Sequence, residues 1–170
     1  LHKRSWNAPR VDRARMEAEG TLGGWLSARL VPKLLLATQT RVIEIVVDST
    51  GVLVPSVPVI TIIPHDPSGL WHLAAAIASP VCTSIARQRY AGAALHADAI
   101  KLSAKQVLKL PLPEPSPRWD AAAEYLQSAS EATDPESRLE SVHRMAEASI
   151  GAYGVPNEEA ARLMDWWRRR

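Results

Sequence analysis

The 170-residue chain contains no Phe and a single cysteine, Cys82. One thiol excludes an intrachain disulfide framework and any Cys-rich zinc site, and it fits a reducing compartment such as the cytoplasm. No apolar run reaches the roughly 18 residues needed to span a bilayer, so no membrane partner is expected. The longest candidates, residues 42–47 and 57–63, are interrupted by Glu44 and Pro58 and have the length of strands. No glycine-rich nucleotide fingerprint, phosphate loop or His-Glu-x-x-His pair is present. The five histidines, His2, His65, His72, His96 and His143, show no metal-ligand spacing. Cys82 lies between Val81 and Thr83 in an apolar helical stretch, the setting of a buried small hydrophobe rather than a nucleophile. No Ser-His-Asp arrangement follows from spacing. A free-standing enzyme is therefore disfavoured, and neither a cofactor nor a metal is expected on this chain.

What is present is an ordinary globular composition: 46% apolar and 22% charged residues. The length allows one domain, or one domain with an appendage. The aromatics are six Trp and three Tyr, which, with Arg preferred to Lys, reads as the bias of a GC-rich genome. The chain opens at Leu1 without Met, and its first residues lack the charged-then-apolar layout of a signal peptide. It is expected to be a piece of a longer protein.

The net charge of +2 conceals an asymmetry. Residues 1–41 carry eight Lys/Arg against three acids, residues 42–110 five against four, and residues 111–170 seven against eleven. A basic front and an acidic back let one end face a polyanion. The same distribution also describes a solvated surface.

The pattern of residues predicts an α+β fold: a small mixed or antiparallel sheet with packed helices, followed by an all-helical C-terminal tail. Residues 1–31 form a helical lead-in, with a loose entry over 1–8, a helix over 11–19 stopped by Gly20, and an ambiguous stretch over 22–30. Strands are expected at 33–38 and at 42–47, the latter with Ile43, Ile45 and Val47 on one face. Asp48-Ser49-Thr50-Gly51 is a turn, and 52–54 would return from it as a strand. Residues 57–63 form a nearly continuous apolar strand, expected to be buried on both faces, whose start Pro55 and Pro58 confine to an edge or bulge.

Asp66-Pro67-Ser68-Gly69 opens a helix with apolar spacing through Leu70, Leu73, Ala74, Ile77 and Val81. Ser79-Pro80 opens a second helix to Tyr90, after which Ala91-Gly92-Ala93 breaks the run. A short strand at 100–102 precedes a capping box, Ser103-Ala104-Lys105-Gln106, and one helical turn to Leu108. Pro111, Pro113, Pro115 and Pro117 mark the boundary of the 32–113 unit, with a linker over 114–118. Beyond it come three helices: 119–130, one capped by Asp134 and running toward Ile150, and one capped by Asn157.

Four groups of polar residues carry candidate chemistry. Thr38-Gln39-Thr40-Arg41 interrupts two apolar strands; Arg and Gln suit bidentate contacts to base edges, and Thr suits phosphates. A hairpin connection would be polar as well. Arg87 and Arg89 close a helix, a position that favours cations with or without a ligand. Lys101, Lys105 and Lys109, spaced by four, would share one face of a short helix and track a phosphate backbone, or simply solvate that face. Arg168–Arg170 reads as a solvated terminus, and Trp166-Trp167 as either core or an interface anchor.

The order of these elements resembles a known family. Lys33-Leu34-Leu35-Leu36-Ala37-Thr38-Gln39-Thr40-Arg41, a hairpin, then Val54-Pro55-Ser56-Val57-Pro58-Val59 resembles the start of a target recognition domain. Leu70-Trp71-His72-Leu73 and Ala78-Ser79-Pro80-Val81 resemble that family's paired helices. The run from His96 to Pro113 resembles its closing signature of a strand, a short capped helix and a Leu-Pro-Leu-Pro exit. The resemblance covers about half the chain. Such domains occur in Type I restriction specificity subunits and at the C-terminus of DNA adenine-N6 methyltransferases; the helical tail resembles an actinobacterial-type N-6 DNA methylase. The resemblance implies a module that reads double-stranded DNA, largely in the major groove, for a methyltransferase domain elsewhere in the same chain. That domain would bind S-adenosylmethionine and flip an adenine from the helix. Neither its Asn/Asp-Pro-Pro-aromatic motif nor its cofactor glycine motif occurs here, so the chain is expected not to methylate DNA alone. The central net charge of +1 and the short loops imply a minimal reader that depends on its partner domain for affinity. The alternative is a protein-interaction module that docks on a catalytic partner without touching DNA.

Overall fold

A computed structural model describes residues 10–90 and 99–170. The loose entry over residues 1–8, the break at Ala91-Gly92-Ala93, His2, His96 and the first part of the closing signature lie outside the described residues. Among the described residues the fold is mixed α+β, with eight helices, a three-stranded and a two-stranded antiparallel sheet, and helices at the C-terminal end.

Helix α1, Arg13–Ala18, starts where the Asp12 side chain accepts from the Arg15 amide, and Gly20 separates it from α2, Thr21–Ser27. The ambiguous 22–30 stretch is thus helical for most of its length. The larger sheet has the order β3 (Ile45–Asp48), β1 (Lys33–Ala37), β4 (Val59–Ile62). Its central strand β1, Lys33–Ala37, buries Leu34 and Leu36 completely. Strand β3, Ile45–Asp48, starts later than the sequence pattern implies, and ahead of it the Ile43 amide donates to the Thr83 hydroxyl of a core helix (3.2 Å). Ile43, Ile45 and Val47 do face the core together, while Val46 is exposed.

Two strand expectations are corrected. Residues 52–54 form no strand: the Val52 and Leu53 amides are taken by the Asp48 carboxylate (3.1 and 2.9 Å), which removes them from any ladder. Residues 57–63 are not buried on both faces. Strand β4, Val59–Ile62, is an edge strand, as the prolines before it require, and Val57 is 93% and Ile63 48% exposed.

A short 3₁₀ turn, Pro67–Gly69, capped by Asp66, leads into α3, Leu70–Ala78. The Ser79 hydroxyl then accepts from the Cys82 amide at the start of α4, Pro80–Tyr90. The two helices bend by 56° at this point. No single helix is long and apolar enough to cross a membrane among the described residues. Leu70, Ala74 and Ile77 of α3, with Cys82 and Ala86 of α4, pack on the sheet residues Leu34, Leu36 and Ile43 as the main core.

Strand β2, Gln39–Thr40, pairs with β5, Ile100–Lys101, in the second sheet, and the capping box then forms as read, opening α5, Ala104–Val107. The chain exits through Leu110-Pro111-Leu112-Pro113. Helix α6, Pro117–Glu131, begins two residues before the expected start because Ser116 caps it. Helix α7, Pro135–Ala152, is capped by Asp134 as expected. Helix α8, Asn157–Arg168, is not capped by Asn157, which already lies in its first turn; Pro156 occupies the cap position, and its carbonyl accepts from the Ala160 amide (2.8 Å).

The terminal helices share core with α3 and α4. Ala75 and Ala78 of α3 pack with Ala122 of α6 and Met145 of α7, and Val81 of α4 packs against Ala146, Ile150 and Met164. Small side chains at these positions allow the close approach. Trp119 Nε1 donates to the His72 carbonyl (2.8 Å), while the His72 ring meets the Trp119 ring edge-on and lies 3.0 Å from an Asp120 oxygen. Tyr153 Oη donates to the Pro111 carbonyl (2.8 Å) beside Cys82 Sγ (3.2 Å).

Candidate nucleic-acid interface

The Thr38–Arg41 segment leaves the sheet core as β1 ends. Its backbone joins the closing signature: the Leu102 amide donates to the Thr38 carbonyl (2.8 Å), and Gln39 and Thr40 stand opposite Lys101 and Ile100. Directly opposed residues of an antiparallel pair project to the same face. Ile100 is buried in the main core, so Thr40 faces inward, and its hydroxyl donates to the Val42 carbonyl. The Thr38 hydroxyl donates to the Pro58 carbonyl (3.0 Å). Both threonine hydroxyls are therefore engaged by backbone. On the other face the Gln39 side chain lies beside exposed Lys101. Gln39, Thr40, Arg41 and Ala99 line a shallow hollow of about 270 Å³.

The lysine row is assembled differently from the expected single helix face. Only Lys105 belongs to α5; Lys101 is on β5, and Lys109 follows the Leu108 cap. One helical turn is too short to hold residues eight apart, so strand, turn and exit each present one lysine. Arg89 joins this end, its Nη1 donating to the Lys109 carbonyl (3.4 Å). Arg87 is half-buried and has a partner within the fold.

The cations of the molecule divide into two sets. All seven arginines after Pro111 have internal partners. Arg144, Arg162, Arg168 and Arg169 lie within 3 Å of Glu140, Glu158, Glu147 and Asp165. Arg118 and Arg138 donate to the carbonyls of Gly151 and Ala132, and Arg170 covers the Trp166 ring. Arg41, Lys101, Lys105 and Lys109 are exposed, and none has an acidic or hydrogen-bonding side-chain partner among the described residues. The Arg168–Arg170 terminus is exposed, as expected, with Arg168 and Arg169 in surface ion pairs, while Arg41, Lys101, Lys105 and Lys109 keep their charge available.

Three features escaped the sequence reading. Lys33 is fully buried and pairs with Asp48 across β1 and β3. Burial alone would raise the Asp48 pKa, but the Lys33 side chain and the amides of Leu53 and Val52 outweigh it and hold the carboxyl below its usual value. Lysine at a strand start looks like any surface lysine, so no local signal marked it. The second is an apolar groove of about 510 Å³ between β4 and α5, lined by Ile60, Ile62, Leu73, Val107, Leu108 and Leu112, among others. The third is Leu108, 84% exposed. Its signal was legible: in Val107-Leu108-Lys109-Leu110, residues three apart share a face, and that face is 107 and 110.

Among the described residues no three His, Cys, Asp or Glu side chains are placed to hold a metal ion. Cys82 is fully buried; desolvation pushes its thiol pKa up despite hydrogen-bond contacts with Tyr153 and Ser79. Compared with protein-family models, curated proteins and solved structures, the chain matches none.

Proposed function

We propose that this chain is a DNA-recognition module of an adenine-N6 methyltransferase, positioning duplex DNA for an S-adenosylmethionine-dependent catalytic domain on other polypeptide. The observation that carries this reading is the segregation of charge. Among the described residues, apart from Arg10, the cations left without partners are Arg41, Lys101, Lys105 and Lys109; Lys101 stands opposite Gln39, the side chain suited to an adenine edge, and Arg41 shares a hollow with it. Arg41 and Gln39 read base edges in this scheme, while Lys101, Lys105, Lys109 and Arg89 contact phosphates. Thr38 and Thr40 serve the scaffold, because their hydroxyls are already engaged. The chain itself performs no methyl transfer, and its work on cellular DNA places it in the cytoplasm. The test is duplex binding by fluorescence anisotropy at two salt concentrations, followed by selection from a randomised duplex library. The reading expects salt-dependent binding and enrichment of a defined sequence. No binding at low salt would refute it.

A second reading has its own observation. The uncharged groove between β4 and α5, with Ile63 and Leu112 about half exposed, is the kind of surface that a partner protein covers. A protein-interaction module would migrate identically with and without DNA.

A further inference from the structure

Leu108 stands in an unusual place for a leucine. It caps α5, one residue before Lys109 and three after Lys105, and both lysines are exposed and unpartnered. It is 84% exposed, whereas Val107 and Leu110 on either side are 7% and 8% exposed. The backbone beneath it is closed by hydrogen bonds: the Leu108 amide donates to the Ala104 carbonyl (3.1 Å), Lys109 to that of Gln106 (3.1 Å) and Leu110 to that of Val107 (3.0 Å). The Ser103–Gln106 capping box fixes the start of the same turn. The result is an apolar tip at the rim of the β4–α5 groove, set on a turn anchored by two buried residues and bracketed by two free cations.

A base stack bounded by phosphates is the ligand chemistry that accepts such a tip. Apolar side chains that enter a base step unstack it at a cost of a few kcal/mol, offset when the bent duplex meets more of the protein. Flanking lysines neutralise the phosphates that the bend draws together. We infer that Leu108 is a wedge that inserts into a DNA base step between phosphates held by Lys105 and Lys109, kinking the duplex against the β2–β5 side. The inference rests on the DNA-recognition reading above. It also assigns the exposed leucine a task in preparing DNA for base extrusion, since a step already unstacked costs less to open.

The experiment uses the 170-residue chain with the best-bound duplex from the randomised selection. End-labelled energy transfer reports bending, and 2-aminopurine placed at each step reports unstacking. The wild type is expected to shorten the end-to-end distance and brighten one 2-aminopurine position. Leu108→Ala should keep the thermal midpoint and the salt slope but abolish both signals, whereas Leu139→Ala, at an exposed leucine on α7, should behave as wild type. Lys105→Gln with Lys109→Gln should reduce the salt slope by about two, one for each phosphate no longer neutralised. Binding without distortion, or distortion that survives Leu108→Ala, overturns the wedge and leaves DNA recognition standing. Absence of duplex binding removes the reading and the wedge together. Leu108-dependent binding to phosphatidylserine vesicles in place of duplex distortion overturns the wedge, because it assigns the tip to a lipid surface.

Discussion

Lys33 and Asp48 face each other at the end of the β1–β3 pairing, with side chains 0% and 2% exposed, so that each charge is the other's solvent. The carboxylate also accepts from the Val52 and Leu53 amides and from the Thr50 hydroxyl, so the pair fixes the whole 48–53 turn. Removing one partner leaves the other buried and uncompensated. Lys33→Ala is expected to cost about 3–5 kcal/mol in denaturant unfolding. Lys33→Met with Asp48→Leu should cost less than the single change. An equal or larger loss in the double variant would show that the pair contributes something beyond mutual charge compensation.

Asp48 also sets an acid limit. Its folded pKa lies below the value of a free carboxyl, so its contribution is fully present above the unfolded pKa of about 3.9 and is lost as pH falls through the folded pKa. The midpoint of urea unfolding should therefore drop as pH falls below about 4. Asp48→Asn, although less stable overall, should show a shallower drop across that window.

Two glycines with nearly equal backbone angles should respond differently to substitution. Gly51 has φ +71°, and a Cβ there would lie 2.7 Å from the Val31 carbonyl carbon; Gly154 has φ +69° with open space around it. Gly154→Ala is expected to cost about 1–2 kcal/mol, the penalty of the left-handed conformation alone. Gly51→Ala should cost clearly more, because the Val31 backbone has to move. Thermal unfolding of the two variants measures the difference.

Cys82 makes a prediction about reactivity. It is fully buried, its thiol is pushed toward the neutral form by desolvation, and it lies beside Tyr153 Oη and the Pro111 carbonyl. A thiol reagent should label it only as fast as the protein opens, and labelling should accelerate with denaturant. Tyr153→Phe removes the hydroxyl that donates to Pro111 and should cost about 1–2 kcal/mol while raising the labelling rate.

The charge segregation predicts which arginines matter for DNA. Arg41→Ala should relax sequence preference more than it lowers non-specific affinity, since base contacts specify and phosphate contacts position. Arg162→Ala, whose guanidinium lies 2.6 Å from Glu158, should leave binding unchanged. Competition anisotropy with the selected and a scrambled duplex separates the two effects. Unchanged discrimination in Arg41→Ala would remove that residue from the reading surface.

Much of this fold was legible because its signals are local. Asp66, Ser79 and Asp134 announce helix starts through side chains that reach amides two or three residues away, and all three act so in the structure, while Gln106 of the expected capping box reaches back to the Ser103 amide. The alternation that places Ile43, Ile45 and Val47 together needs only the pleat of an extended chain. What the sequence alone settled, then, was the α+β class, most of the order of elements and the identity of the polar candidates. Everything that depends on distant partners was decided by tertiary packing. The Asp48 carboxylate claimed the amides that a return strand needed, and edge position exposed a strand whose composition reads as buried. Which cations stay free is only partly a three-dimensional outcome. Arg144, Arg162 and Arg169 meet acids four residues away on their own helices, as local spacing allows, whereas Arg168 meets Glu147 only because tertiary packing brings two helices together.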